Sequence, residues 1–278
     1  MSLSICSLNS GSNGNCYYIG NENEAILIDA GLSCRETEKR MKRAALSISK
    51  VKAIFISHEH ADHINGVEVL SKKFQIPVYI TPETLRFGGL KIEEQLISGF
   101  SIHQPTLIGD ISVTAFAKSH DASDPYSFAV ECRQVKVGVF TDIGKACENL
   151  IKHFSECHAA FLESNYDTDM LEKGSYPNHL KKRISGGMGH LSNDEALQLF
   201  LNYRPAFMSH LLLSHLSKNN NCPDLVSKLF SKHAETVKII VASRYEETSV
   251  YKIERGPVIA RPQAHRPPFQ TSLFHFQE

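Results

Sequence analysis

The chain predicts an α/β fold, two β-sheets with helices against their outer faces. Two patterns carry that reading. Strand-like and helix-like stretches alternate through the first third, and after a strand-rich middle the same βα texture returns, so the two halves look alike. Size agrees, since 278 residues, 42% hydrophobic and 22% charged, can bury a large core without external staples.

Taken in order, residues 2–8 and 16–19 are short β-like runs. Between them lies Asn9-Ser-Gly-Ser-Asn-Gly-Asn15, whose Gly and Asn residues suit turns with positive φ, so the pair reads as a hairpin with a polar tip. Residues 24–31 read as a buried strand ending in a turn, 34–44 carry charges at helical spacing, and 51–57 are a further strand. A helix over 64–74 and a strand over 77–80 continue the alternation. Strands follow at 111–118, 126–132 and 135–140, the last two close enough for a hairpin over Arg133-Gln134. Next come a helix at 145–156, a strand at 159–163 and a basic stretch at 180–184. The last elements are helix 193–203, strand 207–213, helix 223–233 and strand 237–242. From Gly256 the texture changes to a tether rich in proline (Pro257, Pro262, Pro267, Pro268) that ends in an apolar cluster. Residues 1–255 therefore read as one globular domain, and 256–278 as a tether with a terminal peptide.

Lys and Arg total 30 against 30 Asp and Glu, so no global positive field is available to hold a polyanion, and any nucleic-acid contact must use local basic patches. No apolar run reaches the roughly 18 residues of a membrane span, and the first residues lack the pattern of a secretory leader. The expected location is cytoplasmic. Seven scattered cysteines without a C-x-x-C pair fit small core residues in a reducing compartment. The 14 histidines stand out, because several follow β-branched apolar runs, where ligands and catalytic groups tend to sit.

The densest cluster is His58-Glu-His60-Ala-Asp62-His63, between a strand and a helix. Three imidazoles and a carboxylate supply the nitrogen and oxygen ligands that a divalent transition metal takes. In an extended segment His58 and His60 project the same way, and the turn into the helix brings Asp62 and His63 to a second position nearby. Four such groups suit two metals sharing one cleft. The run resembles the H-x-H-x-D-H signature of the metallo-β-lactamase superfamily. The rest of that family's ligand set follows in order: Lys118-Ser-His120-Asp-Ala, Thr141-Asp142-Ile-Gly and Leu213-Ser-His215, each at a strand end. The resemblance implies a four-layer αβ/βα sandwich in which His58, His60 and His120 hold one divalent metal and Asp62, His63 and His215 the other, with Asp142 between them. Zinc and manganese both suit such ligands, and iron is possible. Two metals in one cleft lower the pKa of a shared water and clamp the oxygen of a scissile ester, so hydrolysis is the implied chemistry, with Asp62 placed to take the proton.

The same ligands serve several substrates. Glu163-Ser-Asn-Tyr-Asp167, Gly189-His190-Leu-Ser-Asn193 and Leu213-Ser-His-Leu-Ser217 are similar to the order seen in the phosphodiesterase branch that includes tRNase Z, where a histidine in the place of His190 lies near the leaving group. A nucleotide 3′-oxygen leaves poorly unless protonated, which gives an imidazole acid a purpose; a helix cap at Ser192 or Asn193 also fits this segment. A closer resemblance, running to about Arg244, is to the YycJ (WalJ) group of bacterial proteins, through these motifs together with Leu8 to Cys16, Tyr176-Pro177 and Leu180-Lys-Lys-Arg-Ile184. That group implies a metal-dependent DNA exonuclease acting from 5′ ends, associated with mismatch repair. One departure is Tyr166, where the group's pattern expects histidine. Too few positions separate Asp142 from His215 to hold the β-CASP domain of the RNase J type.

For substrate, Lys181, Lys182 and Arg183 read either as a solvated helix face or as groups that neutralise phosphates. Ser12 and Asn13 sit in a loop that is either a plain hairpin turn or a backbone cradle for a terminal phosphate. Gln270-Thr-Ser-Leu273-Phe274 resembles the Q-x-x-L-F peptide by which bacterial repair proteins bind the sliding clamp, and it fits equally a tail packed on its own domain. The expected function is a two-metal phosphodiesterase and 5′-to-3′ exonuclease with DNA as substrate and no membrane partner. The rival readings are an RNA-processing or small-ester hydrolase of the same fold, and a non-catalytic metal-binding scaffold that docks on the clamp.

Overall fold

The computed structural model describes residues 2–255, so Gln270, Leu273 and Phe274 lie outside the described residues. The first half contains β1 (Leu3–Asn9), β2 (Cys16–Gly20), β3 (Ala25–Ile28), α1 (Cys34–Arg43), β4 (Val51–Phe55), α2 (Ala61–Ile64), α3 (Val67–Phe74), β5 (Val78–Tyr79), α4 (Pro82–Phe87) and β6 (Ile97–Ser98). The second contains β7 (Pro105–Ile108), β8 (Ile111–Ala117), β9 (Tyr126–Cys132), β10 (Val135–Phe140), α5 (Glu148–Phe154), β11 (Ala159–Glu163), α6 (Thr168–Lys173) and α7 (Asn178–Ser185). It closes with α8 (Asn193–Tyr203), β12 (His210–Ser214), α9 (Pro223–Ser231), β13 (Lys238–Val241) and β14 (Tyr251–Ile253), the last of which crosses back to the first sheet.

Two seven-stranded mixed sheets result, ordered β14-β1-β2-β3-β4-β5-β6 and β13-β12-β11-β10-β9-β8-β7. The strands alternate their apolar side chains between two faces, as a period of two demands. Val135, Val137 and Val139 on β10 and Phe161 on β11 meet Ile5, Tyr17, Ile26 and Phe55 in one core between the sheets. Phe140, Leu162, Leu211 and Leu213 face the other way and pack under α5, α8 and α9. On the opposite side Cys6, Leu27 and Ile54 pack under α1 and α3. Helix, sheet, sheet, helix is thus the layer order, as expected.

The β9–β10 hairpin turns at Arg133 (φ 48) and Gln134 (φ 70), the left-handed pair that a two-residue turn requires. Two expectations need correction. The predicted helix over 64–74 is two helices broken at Asn65-Gly66, because a Cβ on Gly66 would lie 1.8 Å from the Leu32 carbonyl oxygen, so the chain passes too close for a continuous helix with side chains. The loop between β1 and β2 is no free polar tip. Asn9, Ser10 and Asn15 are buried, and the Asn15 N–H donates to the Asp62 carbonyl at 2.6 Å.

Candidate metal centre

β4, β8, β10, β11 and β12 all deliver their C-terminal ends to one edge of the sandwich, where the two sheets meet. The residues just past those ends are His58, His120, Asp142 and His215, with Glu163 closing β11. Asp29 (φ 62), Asp142 (φ 56) and His215 (φ 57) take the left-handed conformation, turning each side chain back over the sheet edge at a local cost that the surrounding fold must supply.

Around this edge the imidazoles are oriented by their rear nitrogens. Asp29 accepts from His63 Nδ1 at 2.7 Å and from the Ser57 hydroxyl at 2.9 Å, and that hydroxyl in turn accepts from His58 Nδ1 at 2.9 Å. The Gly189 carbonyl accepts from His120 Nδ1 at 3.0 Å, and Glu163 Oε1 accepts from Nδ1 of both His215 and His190 at 2.9 Å. Each of these rings is therefore anchored through Nδ1 and left with Nε2 as its free nitrogen, the atom by which His58, His63, His120 and His215 would ligate a metal. His60 approaches through Nδ1, 3.1 Å from His58 Nε2 and 3.3 Å from His120 Nε2. Nitrogens held about 2.0–2.1 Å from a tetrahedral ion would stand about 3.3–3.4 Å apart, so this spacing fits a shared cation.

Ligand atoms of His58, His60 and His120 lie within 4.8 Å of one another, and so do those of Asp62, His63 and His215. Asp142 stands between the groups, with Oδ2 3.1 Å from His63 Nε2 and Oδ1 3.9 Å from His120 Nε2. Asp142 Oδ2 and His215 Nε2 are buried without a hydrogen-bond partner, an expensive condition that a bound cation relieves. The donor set and these orphaned atoms fit a divalent metal.

The electrostatics follow from burial. It pushes His58 well below the ordinary imidazole range and His120 down to about 4, so both are neutral and ready to ligate. Burial also pushes His63 down, but Asp142, Asp29 and Asp62 outweigh it and hold the ring at about 10. Glu163 is pushed up by burial and pulled to about 2 by His190 and His215. In the metal-free chain protons on His63 and His215 stand where cations would otherwise balance the carboxylates.

All seven sequence-predicted ligands converge here. His60, Asp62, His120, Asp142 and His215 line a cavity of about 420 Å³ together with His190, while His58 and His63 are fully buried behind its wall. Ser12 and Arg183 also line it, Arg183 paired with Asp121. Asn13 is turned away, donating to the Arg244 carbonyl, Lys181 donates to the Glu172 carbonyl and Lys182 is exposed, so none of these three lines the cavity. Tyr166 is buried against the start of α8, its carbonyl accepting from Asn193, and stays outside the cavity. Ser192 caps α8 in a capping box with Glu195. Sequence reasoning assigned no role to Glu163, Asp29, Ser57, Asn15 or Asn165. The one available signal was a charged residue ending an apolar strand, as Asp29 and Glu163 both do.

Residues 10–178 match the profile of the metallo-beta-lactamase superfamily. The chain is 34% identical over 251 residues to exodeoxyribonuclease YycJ of Bacillus anthracis, covering 88% of this chain and 94% of that one. The chain belongs to the metallo-beta-lactamase superfamily, in the YycJ/WalJ family. Exodeoxyribonuclease WalJ of Streptococcus pneumoniae is 30% identical over 78% of this chain and 83% of its own. Among solved structures, YhfI of Bacillus subtilis superposes with a TM-score of 0.69 at 18% identity, covering 91% of this chain and all of that one. Human tRNase Z, short form, gives 0.60 at 15% identity, covering 88% and 98%. These two share the fold. Superfamily membership together with the convergent histidines and carboxylates makes the chain a metal-dependent hydrolase.

Proposed function

We propose that the chain is a two-metal phosphodiesterase that degrades DNA from 5′ ends, with a place in DNA repair. The observation that carries this reading is His190. Its Nδ1 is fixed by the buried Glu163, and its ring stands on the wall of the cavity that holds the candidate ligands. A nucleotide 3′-oxygen needs a proton to depart, and an imidazolium backed by a carboxylate supplies one. The likeness to the two exodeoxyribonucleases supports DNA as the substrate.

His58, His60 and His120 would hold one divalent ion and Asp62, His63 and His215 the second, with Asp142 reaching both. Zinc or manganese fits this donor set, and iron is possible. Bound there, the ions supply an activated water and a Lewis-acid grip on the phosphoryl oxygens. Asp62 takes the proton from the attacking water, and His190 delivers one to the leaving oxygen. Arg183, held at the rim by Asp121, neutralises phosphate, and Ser12 faces it from the β1–β2 loop.

Chelated protein reloaded with zinc or manganese should degrade 5′-phosphorylated linear duplex DNA in preference to single-stranded DNA, a tRNA precursor or a thioester. Turnover of the tRNA precursor or the thioester without DNA cleavage would overturn the reading, and full turnover in Asp142→Ala would overturn the mechanism. The terminal Gln270, Leu273 and Phe274 are proposed to dock on the sliding clamp. Pull-down by purified clamp should be lost on Leu273→Ala plus Phe274→Ala, and undiminished binding would remove the idea.

A further inference from the structure

Helix α7 is amphipathic yet buries none of its residues in the core. Its apolar positions Leu180 and Ile184, one turn apart, are half-buried and line the catalytic cavity, and Tyr176, two residues before the helix begins, lines it beside them. An apolar face that supports no core and looks into a polar site has a ligand as its natural partner. Two contacts fix this wall in place. The Tyr176 hydroxyl accepts at 3.0 Å from Asn219, in the segment between β12 and α9, and the Ile184 carbonyl accepts from the His190 N–H at 2.8 Å. A Cβ on Gly189 would lie 2.2 Å from that same carbonyl oxygen, so α7 and the His190 turn are packed backbone to backbone. Arg183, on the same helix, adds a cation at the cavity rim.

We propose that Tyr176, Leu180 and Ile184 form the subsite for the terminal nucleoside of the strand being cut, its base resting on the tyrosine ring and the two aliphatic side chains. The assignment rests on the phosphodiesterase reading and adds the identity of the group on the leaving side. If His190 protonates the departing 3′-oxygen, the nucleoside carrying that oxygen lies beside His190, where the wall stands. Its 5′-phosphate would then meet Arg183. A cavity of about 420 Å³ is of the size for one nucleotide rather than a stacked run, and the product is a nucleoside 5′-monophosphate. Any base presents a π-face to such a wall, so the subsite reads presence of a base and not sequence.

The test uses the metal-loaded full chain and two 5′-phosphorylated duplexes that differ only in whether the terminal nucleotide carries a base or an abasic tetrahydrofuran. The wild type should cleave the base-bearing end with a kcat/KM about tenfold higher, a stacking contact's worth. Tyr176→Ala should lower only the base-bearing rate and erase the preference, while Tyr176→Phe keeps it. Equal rates on both ends in the wild type, or an equal fall on both in Tyr176→Ala, would overturn the subsite and leave the phosphodiesterase reading standing. Cleavage of neither duplex would end both. A preference that appears only after removal of residues 256–278 would give the wall to the chain's own tail and overturn the proposal.

Discussion

Glu163 accepts four hydrogen bonds where no water reaches. The Nδ1 atoms of His190 and His215 donate to its Oε1, and the backbone N–H groups of Ile143 and Leu191 donate to its Oε2. An amide cannot copy that pattern, since its NH₂ would face two donors whichever way it turned. Glu163→Gln should lose about 1–3 kcal/mol in urea unfolding, and DNA cleavage should fall with it. His190 permits a sharper test. His190→Ala should slow cleavage of DNA by about 10²–10⁴-fold, but hydrolysis of bis(p-nitrophenyl) phosphate far less, because nitrophenolate leaves without a proton. Equal losses on both substrates would remove His190 from the acid role. Away from the site, His153 is 8% exposed, stacked on Phe116 with ring centroids 4.2 Å apart, and its Nδ1 has no partner. Burial holds it at about 4 against an ordinary 6.5. Between those values the unfolded chain binds the proton and the folded chain does not, so stability is present above pH 6.5 and is lost as pH falls towards 4. His153→Phe should flatten that part of the stability profile, removing about 1–3 kcal/mol of pH dependence measured by denaturant titration.

At the scale of elements, what could be read early was whatever local chemistry writes. β9, β10, β11 and α8 match their sequence bounds because alternation, turn residues and the Ser192 cap all lie within the segment itself. The seven candidate ligands were legible because metal chemistry restricts residue type and because strand ends are marked by apolar runs. Elements whose cause is distant were not. β14 has three residues and owes its existence to an open edge on β1. The break at Gly66 answers to the Leu32 carbonyl, and the buried Asn15 to the backbone of Asp62. α4 and α6 did carry local signals that went unused, side-chain caps at Thr81 and Asp167. Gly31 shows how such distant contacts serve the site. A Cβ there would lie 1.6 Å from the Asp62 carbonyl oxygen, so only glycine lets the turn after β3 pack against α2. Gly31→Ala should cost at least about 1–3 kcal/mol by thermal unfolding, and should weaken metal retention against a chelator, because relief of the clash displaces Asp62 and His63.

Over the whole molecule, the candidate centre is also the seam of the fold. Asn15, Asp29 and the His58 to His63 run come from the first half, whereas His120, Asp142, Glu163, His190 and His215 come from the second. Without cations the seam gathers Asp29, Asp142 and Glu163, all nearly or fully buried, and leaves Asp142 Oδ2 and His215 Nε2 without a hydrogen bond. Anything that binds the folded chain here and not the unfolded one stabilises it by mass action, by about 4 kcal/mol when free metal exceeds its dissociation constant a thousandfold. In a chain of this size that is on the order of 10 °C in Tm. Chelation should therefore lower Tm by about that amount, and added zinc or manganese should restore it with a slope that depends on metal concentration. Asp142→Ala separates this linkage from a nonspecific effect of chelator. Having lost the carboxylate that reaches both ligand groups, it should fold but respond to metal more weakly than the wild type. A wild-type Tm indifferent to chelation and metal add-back would show that the seam is held by its protonated histidines alone.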